Sequence, residues 1–346
     1  MTHVSWFAEV GLSDRPHVGG KGGSLGELQR AGIAVPPGFV VRTSAFERFL
    51  ETVEAQGSVR DRIASLNGGD LSTISECCAA VRSRLEQAPL PPEVEEQIES
   101  AHARLCAAQA GPVAVRSSAT TEDAADASFA GLQDTYLWVR DLDQTLRRLR
   151  SCWASLYSLE SVSYRRRRNL PEQGVAMAVV VQAMVDARTA GVMFTRSPTT
   201  GDRSVITIEG AWGLGSAVVG GEVTPDRWVL GKVTGEIAVR DISDKTIRHA
   251  PAAGGGIETV PVEAASRRAP SLCDEELQRL RCIARQVERH YGRPQDIEWA
   301  IDRGSGEVLL LQSRPETVWS SKESAPVARS AANPLSHVMS IFGGRK

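Results

Sequence analysis

Along this chain the spacing of apolar residues changes several times, and each change marks a different kind of element. Continuous apolar runs of buried-strand length occur at Val113-Ala114-Val115 and from Val175 to Val181, while Val205 to Ile208 alternates between Gly- and Pro-containing flanks. A helical block around Leu142 to Tyr164 interrupts these strands. Residues 46–110 read as mostly helical, with Pro89, Pro91 and Pro92 separating two helices. Near the N-terminus, Gly19-Gly20-Lys21-Gly22-Gly23-Ser24 reads as a glycine-rich turn. A helical stretch follows from Leu25 to Ala31, then a turn and short strand at Val35-Pro36-Pro37-Gly38-Phe39-Val40-Val41.

The C-terminal third carries two clear elements. Residues 271–291 predict a helix capped by Ser271, with Asp274, Glu275 and Glu276 in its first turn and Gly292 and Pro294 beyond its end. Residues 296–313 predict a β-hairpin turning at Arg303-Gly304-Ser305-Gly306. The turn lies midway between Glu298 and Gln312, so the two should be neighbours across the hairpin. Alternation puts Glu298 on the face of Asp296 and Ala300, opposite Ile297, Trp299 and Ile301, and gives Arg314 the face of Gln312. The pattern as a whole is α+β with mixed sheets. From about residue 319 a Ser-, Ala- and Lys-rich stretch reads as a flexible tail.

Composition narrows the function. The 346 residues suffice for two lobes, and 42% are apolar, enough for a sizeable core. Only 5% are aromatic, against a stacking platform for single-stranded nucleic acid, and a formal charge of −2 suggests neither a nucleic-acid nor a membrane partner. No apolar stretch reaches the roughly 18–20 residues of a membrane span, and the N-terminus has no secretory pattern, so a soluble, cytoplasmic protein is expected. Cys77, Cys78, Cys106, Cys152, Cys273 and Cys282 fit no zinc spacing and read as reduced, buried thiols. The run Arg165-Arg166-Arg167-Arg168 reads as a solvated helix end, with partner docking as the alternative.

Standard motifs fail in informative ways. Lys21 is followed by Gly22, so the hydroxyl of a P-loop is missing, and Val218 stands where Gly213-Leu214-Gly215 would need a third glycine for a dinucleotide fingerprint. Gly22-Gly23-Ser24-Leu25-Gly26 matches a nucleophile elbow in letters only, because no buried strand precedes it. Other segments suit phosphate chemistry, each beside a plainer alternative. The glycines around Lys21 could admit phosphate to backbone N–H groups, or simply turn the chain. Arg116, leaving a strand into Ser117-Ser118-Ala119-Thr120-Thr121, suits a bidentate phosphate clamp or a surface loop. Ser128 to Thr135 is a small-residue turn. Glu298, Gln312 and Arg314 on one surface could hold Mg²⁺ and phosphates, or form an exposed cross-strand polar pair.

Taken in order, these segments resemble the ATP-binding domain shared by phosphoenolpyruvate synthase, pyruvate phosphate dikinase, rifamycin phosphotransferase and phenylphosphate synthase. The resemblance runs through Gly-Gly-Lys-Gly-Gly-Ser-Leu at 19–25, Val-Pro-Pro-Gly-Phe-Val-Val at 35–41, Val-Arg-Ser-Ser-Ala-Thr-Thr-Glu-Asp at 115–123 and Phe-Ala-Gly-Leu-Gln-Asp-Thr-Tyr at 129–136. It continues with Val-Val-Val-Gln-Ala-Met-Val at 179–185, Gly-Val-Met-Phe-Thr-Arg-Ser-Pro at 191–198 and Trp-Gly-Leu-Gly at 212–215. Asp-Ile-Glu-Trp-Ala-Ile-Asp at 296–302 and Leu-Gln-Ser-Arg-Pro-Glu-Thr at 311–317 complete it.

The resemblance implies an ATP-grasp fold with nucleotide between two lobes, residues 1–190 and 191–318, followed by the 319–346 tail. It implies that Lys21, Arg116 and Arg314 contact ATP phosphates, that Gly131 and Thr135 belong to the turn covering them, and that Gln182 meets the adenine region. Glu298 and Gln312 match its magnesium pair. Thr195 and Arg196 lie on the segment linking the lobes. Ser216 departs from the Glu often found after Gly-Leu-Gly, leaving Glu209 and Glu222 as nearby acids.

In the complete family ATP gives its β-phosphate to a histidine on a mobile domain, leaving AMP. His3, His17, His102, His249, His290 and His337 all lack the Thr/Ser-Ser-His setting of that residue, and Ser336-His337 reads as tail. Either the enzyme is split, with the histidine and acceptor domains on a partner subunit, or the sequence is a piece of a longer chain. The expectation is an ATP- and Mg²⁺-dependent catalytic subunit serving a small acceptor such as pyruvate, a phenol or an antibiotic hydroxyl. A nucleotide-sensing subunit and an ATP-grasp carboxylate–amine ligase are the rivals.

Overall fold

A computed structural model describes residues 1–66, 71–120, 123–124, 127–128 and 134–320. The chain begins with β1 (Val4–Trp6), α1 (Arg15–Arg30) and β2 (Gly38–Val41). Four helices follow: α2 (Thr43–Glu54), α3 (Val59–Ala64), α4 (Leu71–Gln87) and α5 (Pro92–Ala108). Next come β3 (Val113–Ala119), the short β4 (Asp123–Ala124) and β5 (Ala127–Ser128), β6 (Thr135–Val139), α6 (Leu142–Ser155), α7 (Leu159–Arg167) and β7 (Met177–Ala183). The remainder runs β8 (Ala187–Phe194), β9 (Val205–Trp212), α8 (Ser216–Val219), β10 (Asp226–Gly231), β11 (Ile237–Asp241), β12 (Ile247–Pro251) and β13 (Ile257–Pro261). It ends with α9 (Ala264–Arg267), α10 (Asp274–Tyr291), β14 (Gln295–Asp302) and β15 (Val308–Pro315).

Two antiparallel sheets organise these elements. The first has the order β1-β2-β7-β3-β6, the second β11-β10-β9-β8-β14-β15. Every residue of β3 and β7 is buried, which explains their unbroken apolar runs. Helices cover the first sheet: α2 buries Phe46, Phe49, Leu50 and Val53 at helical spacing against Trp153 of α6 and the strands. On the second sheet α10 buries Leu277, Leu280, Ala284 and Val287 against Trp228 and Trp299. This α+β arrangement of helices on two antiparallel sheets is the expected fold class.

The glycine segment is not a turn. Gly19 to Ser24 lies inside α1, which breaks helical geometry only at Gly19 (φ 70°, ψ 178°). Glycine costs a helix about 1 kcal/mol per residue relative to alanine, and close packing offsets that cost here. A Cβ on Gly19 would lie 2.1 Å from the Ser118 carbonyl oxygen, and one on Gly26 2.3 Å from that of Val10. Ser118 Oγ closes the junction, accepting from Gly22 N at 3.2 Å and donating to Val18 O at 2.9 Å. The same helix reaches the second sheet. Ser24 Oγ donates to Ser313 O at 2.6 Å, and Leu28 joins the second sheet's core.

Other expectations need correction. Helix α10 is capped at Cys273, whose N–H donates to Glu276 Oε2 at 3.0 Å. Ser271 instead donates its N–H and hydroxyl, each at 2.8 Å, to buried Asp226 Oδ2, and Lys245 Nζ donates to Oδ1 at 2.5 Å. A buried carboxylate needs those donors more than the helix needs a serine cap. Arg165 is not solvated: it makes a two-pronged pair with buried Glu172 at 3.1 and 2.9 Å, leaving Arg167 and Arg168 exposed. The cysteines are free, but Cys273 and Cys282 are exposed rather than buried. Among the described residues no helix is long and apolar enough to cross a membrane. At the start of the predicted tail, Trp319 donates from Nε1 to Pro198 O at 2.9 Å; residues 321–346, Ser336-His337 included, lie outside the described residues.

Gly19→Ala should lower stability by about 2 kcal/mol or more, since it adds both a left-handed backbone penalty and a clash with β3. An unchanged urea midpoint would contradict this packing role.

Candidate nucleotide site

Between the two sheets lies a cavity of about 360 Å³. Its walls include Arg116 and Ala114 of β3, Thr135 and Leu137 of β6, Gln182 to Val185 at the end of β7, Ala187, Ala190 and Gly191 of β8, Leu214 to Ser216, and Glu298 of β14. One end is apolar: Val185, Ala187, Ala190, Leu214 and Ala300 form one buried cluster. The other end is charged. A second cavity of about 560 Å³ shares Thr135, Leu137 and Ser216 with the first and adds Arg147, Arg148 and Gly254 to Gly256.

The hairpin forms as its pattern predicted, with Glu298 directly opposite Gln312 and Asp296 opposite Arg314. The register then slips, so that Trp299 faces Leu310 and Leu311 is left as a bulge. This slip is invisible in the sequence, and it releases a carbonyl at the site. Arg116 reaches across from the first sheet and uses it. Its Nη1 donates to Leu311 O at 2.8 Å, and its Nη2 donates to Glu298 Oε2 at 3.0 Å and Gln312 Oε1 at 2.8 Å. Arg116 is only 8% exposed, so its contacts are partly shielded from solvent.

Those two side-chain oxygens therefore converge on one positive charge. A carboxylate and an amide oxygen are hard donors of the kind magnesium takes, and a cation already held by both shows that they can share one. Glu298 and Gln312 thus fit a magnesium ion. Glu209 faces the same side: Glu298 and Glu209 both pair with Val192, from opposite edges of β8. Burial raises the Glu209 carboxyl above its usual range, with Arg227 only partly opposing it. Burial also raises Asp296, against the pull of Arg314 Nε at 3.4 Å.

The other predicted residues divide. Thr135 pairs with Arg116 across the first sheet and lines both cavities. Gln182 is 2% exposed, lines the first cavity, and donates from Nε2 to Pro36 O at 3.3 Å. Gln312 and Arg314 share a face at the hairpin's end and neither is part of the cavity wall; Gln312 joins the site through Arg116. Lys21 also stands outside that wall. It is buried on α1 beside β3, close enough to act electrostatically on the Cys152 thiol, which burial holds above the usual range. Thr195 and Arg196 play anchoring parts: Thr195 Oγ1 accepts from Gln295 N at 2.8 Å, and Arg196 Nε donates to Gly201 O at 2.7 Å. Gly131 lies outside the described residues.

The structure adds a group that sequence reasoning missed. His249, on a distant strand, stands 2.8 Å from Ser216 Oγ and 3.2 Å from Glu222 Oε2. Ser216, as a departure from the expected pattern, and Glu222, as a nearby acid, pointed toward it, but not the histidine between them.

Comparison with known proteins settles the family. The domain described as "Pyruvate phosphate dikinase, AMP/ATP-binding domain" matches residues 15–333. The chain belongs to this family. A probable phosphoenolpyruvate synthase of Staphylothermus marinus is 40% identical over 95% of the chain and 43% of its own length. The phosphoenolpyruvate synthase of Aeropyrum pernix is 39% identical over 94% of the chain and 44% of its length. A rifampicin phosphotransferase of a Streptomyces species is 41% identical over 89% and 35%. The chain thus spans less than half the length of these relatives. D-alanyl-alanine synthetase A of Vibrio cholerae, a solved structure, aligns over 70% of the chain and 54% of its own. Its 12% identity and TM-score of 0.27 are too loose to bear on the fold.

Because burial raises the Glu209 pKa on folding, its contribution is fullest below the unfolded pKa and is lost as pH rises through the folded value. Glu209→Gln should therefore raise Tm at neutral pH, with the gain shrinking toward acid pH. A gain that grows on acidification would contradict the burial of this carboxyl.

Proposed function

We propose that this chain is the ATP-binding catalytic part of a dikinase-type phosphotransferase. In this reading it moves the ATP β-phosphoryl group to a histidine on a separate subunit and releases AMP and inorganic phosphate. The single observation behind it is the convergence of Arg116 on Glu298 and Gln312 at the charged end of a cavity whose other end is apolar. That polarity suits a nucleotide, with the base among Val185, Ala190 and Leu214 and the phosphates toward Arg116. Family membership supports the nucleotide. The names of its relatives support phosphoryl transfer to a small acceptor, a pyruvate, phenol or antibiotic hydroxyl in the expectation above.

Arg116 is the counter-ion of Glu298. In this reading the guanidinium would exchange its two side-chain acceptors for phosphate oxygens of a bound nucleotide, and Glu298 and Gln312 would hold magnesium. The metal would supply charge neutralisation on the phosphates. Arg116, pre-positioned by β3 and the bulge, then meets negative charge developing on the transferred group. Arg314, at the hairpin's end, and Lys21, on α1, are assigned the outer phosphates, with Thr135 beside them and Gln182 beside the base.

Two measurements test this reading. Charge stabilisation of this kind is worth about 2.7–4 kcal/mol, so Glu298→Ala should slow AMP formation by about 10²- to 10³-fold with a histidine-domain partner present. AMP formed at the wild-type rate would refute the assignment. ADP formed from wild-type protein with an acid and an amine would replace the dikinase reading with a ligase. Arg116→Ala should weaken ATP about 10- to 100-fold while tightening nucleotide-free Mn²⁺, followed by electron paramagnetic resonance. Weaker Mn²⁺ binding in this variant would show that Arg116 supports the metal oxygens rather than occupying them.

A further inference from the structure

Ser216 begins α8, directly after the Gly213-Leu214-Gly215 turn that ends β9, and it lines both cavities. Behind it lies a chain of hydrogen bonds from Ser216 Oγ through His249 to Glu222, at 2.8 and 3.2 Å. His249 is 5% exposed, and its backbone is fixed as well, since its carbonyl accepts from Leu214 N at 3.1 Å. The ring therefore has one orientation and two defined partners.

The chemistry of the partners fixes the protons. A carboxylate only accepts, so the ring proton sits on Nε2, facing Glu222. In the neutral ring the other nitrogen is then an acceptor. With the ring neutral, the Ser216 hydroxyl donates its single hydrogen inward to Nδ1 and its oxygen offers the cavity lone pairs. Serine ordinarily both donates and accepts; this one is a fixed acceptor.

Register places that acceptor along the cavity. Glu298 pairs with Val192 of β8, whereas a Cβ on Gly215 would sit 3.4 Å from the Ala190 Cβ, two residues along β8 and level with Ala300. Ser216 thus stands toward the apolar end, displaced from Arg116, Glu298 and Gln312. A serine–histidine–carboxylate chain can also activate a nucleophile, but at this position the hydroxyl meets the nucleoside half of a nucleotide, not its phosphates.

We infer that Ser216, oriented by His249 and Glu222, is a specificity-determining residue that reads a hydrogen-bond donor on the nucleoside. The donor is a sugar hydroxyl or the exocyclic amine of the base. The inference rests on the nucleotide reading of the cavity given above.

Calorimetric affinities of wild type, Ser216→Ala and Glu222→Gln for ATP, 2′-deoxy-ATP, 3′-deoxy-ATP and ITP test it. Wild type should disfavour one donor-lacking analogue by about 5- to 30-fold, the range for a lost hydrogen bond that leaves its partner unsatisfied. In Ser216→Ala that ratio should fall to near one, with ATP weakened by a similar factor. Which analogue responds identifies the donor. Glu222→Gln provides a control that keeps Ser216 in place. Its amide can donate to Nε2, which moves the ring proton to Nδ1 and turns the serine hydrogen outward. A sugar hydroxyl can then accept and keep its bond, whereas an amine cannot. Normal ATP binding with all ratios unchanged in Ser216→Ala would overturn the role of Ser216 alone. Failure of wild type to bind ATP would overturn the nucleotide reading itself.

Discussion

The close approach of α1 to β3 is the constraint on which the site depends. Gly19 and Gly26 let the helix lie against backbone carbonyls where any side chain would collide, and Ser118 locks the junction. From that seat, Ser24 reaches Ser313 on the hairpin and Leu28 enters the second core. One helix thereby sets the distance between the sheets. That distance in turn lets a guanidinium on β3 span to a carboxylate on β14 and an amide on β15. A looser helix would leave Arg116 and Glu298 as two half-buried charges without partners, which costs far more than an exposed pair.

Within that frame the hairpin performs two tasks. Its regular part aligns Glu298 with Gln312, and its bulge turns the Leu311 carbonyl toward Arg116. The three acceptors are oxygens of different kinds, yet all serve one cation. The Glu298 carboxylate is therefore neutralised by Arg116 from the facing sheet. At the apolar end, Ser216 takes its orientation from a separate chain of hydrogen bonds through His249 to Glu222.

Much of this was legible in order along the chain. The buried strands around residues 113 and 177, the paired helices flanking Pro89 to Pro92, and the hairpin with its 298–312 pairing all follow from local patterning. In each case the deciding interactions are between residues near in sequence. The misreadings involve burial and packing that local pattern does not reveal. Glycines that locally suggest a turn pack within a helix, where Gly19 lies against Ser118, Gly22 against Val40 and Gly26 against Val10. Ser271, a good cap by type, is claimed by a buried carboxylate 45 residues earlier. Arg165, within a basic run, is drawn inside by Glu172.

The sequence by itself determined most element types, the Glu298–Gln312 pairing of the hairpin and, through an ordered set of motifs, the family. These depend on short-range periodicity and on residue types that one chemistry requires. Tertiary structure alone decided which of those residues meet. It brought Arg116, Glu298, Gln312 and the Leu311 carbonyl together, set Lys21 and Arg314 apart from the cavity wall, and placed His249 behind Ser216. Contacts between residues 182 and 196 positions apart are created by packing two sheets against one helix, and no local pattern encodes that distance.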